Sequence, residues 1–169
     1  MPIESIPIYG FAKTLLSWIP NILLKRHYTS ERLSRLIYVD IAPRGEPVTL
    51  DLGNPSSARL QLQLINMSPF QVEIDRAIFN IQCAGPEVEI GYHTRTMMAP
   101  GEILSLFLRA PMLDGHAIAV SNLDEENIRA CLSGNLEFNC SLRNFGKNIG
   151  ALSGVNPKVV NANVRRRDA

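Results

Sequence analysis

Residues 59–64 read Arg-Leu-Gln-Leu-Gln-Leu, so apolar side chains alternate with polar ones at every step. A period of two is typical of a β-strand that buries one face. Similar runs recur along the chain, and turn-forming Pro, Gly and Asn residues separate them. They predict strands at 37–41, 48–52, 70–83, 87–93, 102–109, 116–120, 135–142 and 158–164. Short strands at this spacing predict a mostly β fold, an immunoglobulin-like antiparallel β-sandwich.

The long run at 70–83 changes phase in its middle. Its apolar side chains fall on even numbers up to Ile74 and on odd numbers from Ala77 to Cys83. The alternation therefore slips at Asp75-Arg76. Such a slip predicts a β-bulge, or a corner at which the strand leaves one sheet for the other.

Two later segments are predicted to lie outside the strands. Residues 122–131 predict one short inserted helix, because Ser121 or Asn122 can cap it and acidic residues fill its first turn. Glycines spaced by four along 146–154 stand among polar residues and predict a flexible connection. The predicted organisation is a helical anchor at 1–35, a sandwich domain at 36–145, and the connection, a last strand and a basic tail at 146–169.

Composition restricts the class of protein. The chain has 169 residues, of which 46% are hydrophobic and 20% charged, so it can bury a core and is too apolar to be disordered. These values exclude a collagen, a coiled coil and a polytopic membrane protein. The three cysteines are too few for a disulfide framework. Cys83 and Cys140 fall in the inward phase of strands, whereas Cys131 is expected near the end of the inserted helix.

The first part of the chain is unusually apolar over residues 5–24. Its large apolar side chains recur at helical spacing and make one amphipathic face: Phe11, Leu15, Trp18, Ile19 and Ile22. Two prolines and the central Lys13 argue against a simple transmembrane helix, and Trp18 favours the headgroup boundary. The segment is predicted to lie in a membrane interface, or to form a shallow re-entrant hairpin that turns at Pro20-Asn21.

Charge is segregated along the chain, with a net +3 over 1–39, −7 over 40–142 and +5 over 143–169. Lys25 and Arg26 directly follow the apolar run and complete the predicted membrane-contact set. Basic residues in this position favour a membrane-associated protein whose body is on the cytoplasmic side. The alternative is that the apolar helix packs on the core of the sandwich. A second short helix is predicted at 29–36, capped by Thr29 or Ser30.

Motifs for catalysis are scarce. The sequence has neither a Gly-x-Ser-x-Gly nucleophile elbow nor a Gly-x-x-x-x-Gly-Lys phosphate loop. His93, His116 and Asp114 form one set from which an acid–base or metal site could be built, but their spacing matches no metal motif. We interpret them as polar loop residues and expect no catalytic residue, no metal and no cofactor.

Residues 58–109 contain several elements in a fixed order. An alternating strand at 59–65 precedes Asn66-Met-Ser-Pro-Phe-Gln-Val, a long apolar strand, a hairpin and Met98-Ala-Pro-Gly-Glu-Ile. This order resembles the domain shared by group-2 late-embryogenesis-abundant (LEA) proteins and water-stress-hypersensitivity (WHy) proteins. Met67 departs from the family pattern, which favours Pro at that position. The resemblance implies an immunoglobulin-like sandwich, in many members with an N-terminal membrane-anchoring segment.

Three classes of function fit these observations. The first is a non-enzymatic, membrane-associated binding module whose partner is membrane lipid or a membrane protein, with no specific nucleic acid. The second is a soluble homo-oligomer or structural subunit whose N-terminal helix packs on a partner chain. The third is a hydrolytic enzyme, which requires His93, His116 and Asp114 to converge within hydrogen-bond reach. The segregated charge favours the first.

Overall fold

The computed structural model describes residues 21–41, 47–123 and 128–166. These residues form ten strands and four helices. In chain order they are α1 (Asn21–His27), α2 (Ser30–Leu36), β1 (Ile37–Asp40), β2 (Val48–Asp51), β3 (Ser57–Asn66), β4 (Val72–Cys83), β5 (Glu87–Tyr92), β6 (Thr96–Met98), β7 (Ile103–Pro111), α3 (Asp114–Ser121), β8 (Ala130–Cys140), β9 (Phe145–Val155), β10 (Lys158–Val160) and α4 (Ala162–Arg166).

The first sheet is built around β3. One edge of β3 pairs with β1 near its carboxyl end and with β2 near its amino end, and the other edge pairs with β7 along nine consecutive positions. All these pairs are antiparallel. The short strand β10 extends the sheet by running parallel to β2.

The second sheet is built around β4 in a similar way. One edge of β4 pairs with β5 and β6, and the other pairs with β8 over its whole length. Strand β9 then pairs with β8 and is the last strand on that side.

The core lies between the two sheets. Even-numbered leucines of β3 are fully buried, as are alternate side chains of β4 such as Ile74, Phe79 and Ile81. Burying apolar side chains from both sheets is the main source of stability in this architecture. The predicted mostly β sandwich is confirmed.

The turn that carried the LEA resemblance is held by a buried polar network. Asn66 is fully buried, and its Nδ2 donates to the carbonyl oxygens of Phe70, Met98 and Ala99 at 2.8, 3.1 and 3.2 Å. Its Oδ1 accepts bonds from the main-chain N–H and the hydroxyl of Ser68 at 3.0 and 2.6 Å. One amide side chain therefore joins the end of β3, the following turn and the end of β6, and all of its own buried polar atoms have partners.

The phase change in the long strand is a bulge and not a corner. The register of β4 against β8 shifts between Ile74 and Arg76, as the alternation predicted. The prediction that the strand passes to the other sheet there is wrong, because β4 stays paired with β8 from Val72 to Cys83.

The inserted helix lies earlier than predicted. Residues 114–121 are helical where a strand at 116–120 was predicted, and the helix ends at its C-cap, Asn122. From Ala130 onward the chain is strand β8, so the prediction of a helix over 122–131 is wrong, although 124–127 lie outside the described residues. Tertiary contacts explain the difference, since α3 buries one face that includes Ala117 and Val120 against the sandwich.

The predicted flexible connection at 146–154 is a strand. Strand β8 supplies a hydrogen-bonding edge, and the buried side chains of Phe145 and Ile149 fix β9 to the core. The predicted last strand at 158–164 is shorter, because Asn161 has a φ of 60° and the chain then turns into α4. Cys131 likewise lies in β8, opposite Gln82, and not at a helix end.

Candidate membrane-contact surface

The two N-terminal helices dock onto one end of the sandwich. Leu24 of α1 and Leu33 of α2 are buried in the same core as the strands. Tyr28, between the helices, packs edge-on against Phe70, with 4.9 Å between ring centroids. Helix α2 starts where the sequence predicts, with the Thr29 hydroxyl accepting a bond from the main-chain N–H of Arg32. Each helix therefore has one face committed to the domain, and we call the two consecutive helices with their Tyr28-Thr29 connection the hairpin.

Two cationic side chains near the β8–β9 turn fasten this hairpin. Arg143 donates from Nη2 to the carbonyl oxygen of Lys25, and Lys147 donates from Nζ to the carbonyl oxygen of Ser34 at 3.0 Å. Both acceptors lie in the last turn of a helix, where the helix dipole favours positive charge. Burial lowers the pKa of Lys147 below its usual value. Each helix thus has a main-chain carbonyl of its last turn bonded to a cationic side chain from the β8–β9 region.

The opposite face of α1 points away from the domain. At about 100° per residue, Ile22 and Arg26 lie on the side of the helix opposite the buried Leu24, and Lys25 lies on the flank next to Arg26. The Ile22 side chain is 78% exposed and that of Leu23 is 55% exposed. We call the exposed set of α1 and α2 the basic hairpin surface: Ile22, Leu23, Lys25, Arg26, Arg32 and Arg35.

The α2 half of this surface is shaped by local contacts. The Arg32 guanidinium lies 5.7 Å from the centre of the Tyr28 ring, a cation–π distance. Arg35 pairs with Glu31 one turn earlier, and both side chains are largely exposed. An open depression of about 400 Å³ on this surface is lined by Thr29, Glu31, Arg32 and Arg35. Surface pairs of this kind add little stability, so the arginines remain available to an anion.

Three of the seven predicted contact residues can be placed. Ile22, Lys25 and Arg26 come together on one exposed helix face, whereas Phe11, Leu15, Trp18 and Ile19 lie outside the described residues. The sequence analysis did not include Leu23 in the contact set, because its exposure can be inferred only when Leu24 is known to be the buried side chain of α1. None of the helices within 21–41, 47–123 and 128–166 has the length and hydropathy of a membrane span.

His93 and His116 do not converge on a site, and their interpretation as polar loop residues is wrong for His116. His116 is buried in α3, and its Nε2 lies 2.7 Å from the carbonyl oxygen of Cys83, at the end of β4. His93 is exposed just beyond β5, where Tyr92 pairs with Ala77. His93 therefore lies near Ala77 of β4 and His116 near Cys83, and these two positions of β4 are about 20 Å apart along the strand. No group of three His, Cys, Asp or Glu residues in the described ranges could hold a metal ion.

Known structures resemble this chain only distantly. No family model matches the sequence, and no curated protein does. A structural-genomics target called SoR45 gives a TM-score of 0.49 at 11% identity, over 72% of this chain and 87% of that one. A candidate ApaA protein from Bordetella pertussis gives 0.44 at 10%, over 70% and 89%. The solution structure of a candidate LEA protein gives 0.38 at 14%, over 90% and 92%.

Proposed function

We propose that this chain is a non-enzymatic β-sandwich module that associates with a membrane through the basic hairpin surface. Its body lies on the cytoplasmic side, and it acts through contacts with lipid headgroups or a membrane protein. The observation that carries the proposal is the combination of Ile22, Lys25 and Arg26 on the exposed face of a helix whose other face is anchored by Leu24.

The composition of this face suits an anionic bilayer. Apolar side chains beside cations are typical of helices that lie in the headgroup region. Each Lys or Arg close to such a surface contributes about 1 kcal/mol of attraction. The surrounding body, residues 40–142, carries a net −7, so it would be repelled by the same lipids. Charge therefore supports an orientation with the basic hairpin surface toward the membrane.

The sequence resemblance to LEA domains supports the class of function that we propose, a binding module. The similarity of residues 58–109 to group-2 LEA domains supports binding in place of catalysis, and we propose a part in the stress response on that resemblance alone. The separation of His93 from His116 argues against the hydrolytic alternative, which needs those groups within hydrogen-bond reach.

Co-sedimentation with vesicles tests the proposal. Full-length protein is mixed with vesicles that contain about 30% phosphatidylserine or only phosphatidylcholine, at low and high salt. The wild type is expected to bind the anionic vesicles and to be released by salt. The double reversal K25E/R26E should weaken the partition coefficient about 30-fold or more, since at least about 2 kcal/mol of attraction is lost.

A matched control separates local from total charge. R129E/K158E makes the same change in net charge with exposed residues of the body, and it should retain most of the binding. Equal loss in the two double variants would contradict the assigned surface. Absence of wild-type binding to anionic vesicles would overturn membrane association and favour the soluble subunit, whose N-terminal helix packs on a partner chain.

A further inference from the structure

Strand β7 ends the first sheet with a regular edge. Within the described residues it pairs with β3 alone, and its nine pairs run from Ile103 to Pro111 without a register shift. Its outward side chains include Ile103, 59% exposed, and Phe107, 70% exposed. Residues 103–108 contain no charge and no proline. Charge and proline discourage the pairing of an edge strand with another chain, and β7 carries them only near its end, as Arg109 and Pro111.

The main chain of β7 presents bonding groups along this edge. Flanking bonds join Asn66 N–H to Glu102 O and Met112 N–H to Ser56 O, so the even-numbered residues of β7 bond to β3. Because bonded and non-bonded pairs alternate in an antiparallel ladder, the odd-numbered residues direct their N–H and C=O groups away from β3. Those residues are Ile103, Ser105, Phe107, Arg109 and Pro111, of which only Pro111 lacks the N–H.

We propose that this edge pairs with the same edge of a second copy of this chain. The two β7 strands lie antiparallel about a two-fold axis through Ser105, so that the two first sheets become one continuous sheet. In this register Ile103 of each copy faces Phe107 of the other, and Arg109 faces Gly101.

The pattern of side chains favours a second copy as the occupant. A two-fold axis makes every contact occur twice, so a strand pairs well with itself only when no residue meets its own charge. The register about Ser105 brings an aromatic side chain opposite a β-branched one at two places, a stabilising cross-strand pair. It keeps the two copies of Arg109 at opposite ends of the ladder. An edge shaped for a particular peptide would have no need of this self-complementarity.

The oligomeric state in solution tests the proposal. Sedimentation equilibrium of the full chain from about 1 to about 300 µM should show a reversible monomer–dimer equilibrium. The variant F107K places a charge on an exposed side chain at the paired edge and should raise the dimer dissociation constant at least about tenfold. The control L152K puts the same charge on a partly exposed residue of β9 and should leave the constant unchanged.

Cysteine cross-linking tests the register. In the proposed pairing the two Ser105 Cα atoms are about 5.5 Å apart, within the range of about 4.4–6.8 Å that a disulfide spans. The two Phe107 Cα atoms are about 13 Å apart along the strands. S105C should therefore form a disulfide-linked dimer on mild oxidation, and F107C should not. The proposal is overturned if the wild type stays monomeric at every concentration, even if it binds an added extended peptide. It is also overturned if L152K loses the dimer while F107K retains it.

Discussion

Strand β7 and strand β9 each close one sheet of the sandwich, and their free edges differ in cover and in regularity. Helix α2 packs against β9, and Lys147 at the start of β9 is bonded to the end of that helix. The register of β9 against β8 slips twice, between Ala130 and Leu132 and between Leu132 and Gly134. Strand β7 lies against β5 of the second sheet, and it has neither a covering helix among the described residues nor a slip in register.

The difference shows how one domain can protect one edge and leave the other open. Bulges twist a strand so that a second chain cannot pair along it, and a docked helix blocks access. In β9 the helix covers the start of the strand, where the basic hairpin surface is fastened, whereas the register slips lie further along, between Ile149 and Val155. The contacts that hold the hairpin therefore also cover the start of that edge, while β7 has no such helix among the described residues.

Removing the Asn66 amide should have the largest effect, and it acts at the β7 side. N66A removes the amide that donates to the carbonyls of Phe70, Met98 and Ala99 and accepts two bonds from Ser68, next to the turn from which β7 starts. A hydrogen bond contributes about 1 kcal/mol, so losing these buried bonds together should lower the free energy of unfolding by about 4 kcal/mol. Urea unfolding measures this change.

The control for this variant is N148A, an exposed asparagine on β9, which should change the free energy of unfolding by less than about 0.5 kcal/mol. Similar losses in the two variants would contradict the structural role given to the buried network.

Truncating Leu33 should detach helix α2 from strand β9 and expose the edge of that strand. This side chain is fully buried in the core, and L33A should lower the free energy of unfolding by about 3 kcal/mol. Amide hydrogen exchange should accelerate first in the part of β9 under α2, residues 145–149, before it does in β7. R35A, on the exposed face of the same helix, serves as the control. Equal acceleration in β7 and β9 would show that the helix does not cover β9 selectively.

Removing Arg143 should loosen the hairpin without opening β9. R143A loses the bond to the Lys25 carbonyl, which is expected to lower the free energy of unfolding by about 1 kcal/mol. Faster hydrogen exchange confined to 21–28 would show local release of α1. The variant R129A removes an exposed arginine at the other end of β8 and should show normal exchange there. If α1 stays fully protected in R143A, Leu24 alone holds it.

The smallest effect is expected at the bulge in β4, and it depends on pH. Arg76 contacts both carboxylate oxygens of Glu137 at 2.8 Å, and these hydrogen bonds lower the pKa of Glu137 below its usual 4.5. A lowered pKa in the folded state stabilises the fold above the unfolded-state pKa, and this stabilisation is lost as the pH falls through the folded-state pKa.

Urea midpoints of wild type and E137Q should therefore differ at neutral pH and converge as the pH falls below 4.5. A difference that persists unchanged into acid would show that the charge of Glu137 is not its source. The exposure of both side chains keeps the expected difference small.

The sequence predicts those parts of the fold that depend on local pattern. Alternation along 59–64 and the phase slip at Asp75-Arg76 identify β3 and the bulge in β4, because a strand with one buried face must alternate. Thr29 likewise identifies the start of α2, since its hydroxyl satisfies a helix N–H that has no other partner.

Other parts depend on partners that lie far away in the sequence. Gly146 and Gly150 have low strand propensity, yet β8 provides the ladder that makes them part of β9. Residues 114–121 are helical because His116, Ala117 and Val120 find buried contacts on the sandwich. For the candidate surface, helical spacing predicted Ile22, and the position directly after the apolar run predicted Lys25 and Arg26. The anchoring by Arg143 could not be predicted, because it comes from more than a hundred positions away.

The turn between β8 and β9 also determines how mechanical tension would enter the domain. A pulling force applied at Asn21 is resisted first in α1, by the buried Leu24 side chain and by the bond from Arg143 to the Lys25 carbonyl. It is resisted next in α2, by the bond from Lys147 of β9 to the Ser34 carbonyl. The covalent chain alone would deliver that force to the first sheet through β1. These contacts divert part of the load into the second sheet, so a module tethered at its N-terminus would share the strain between both layers.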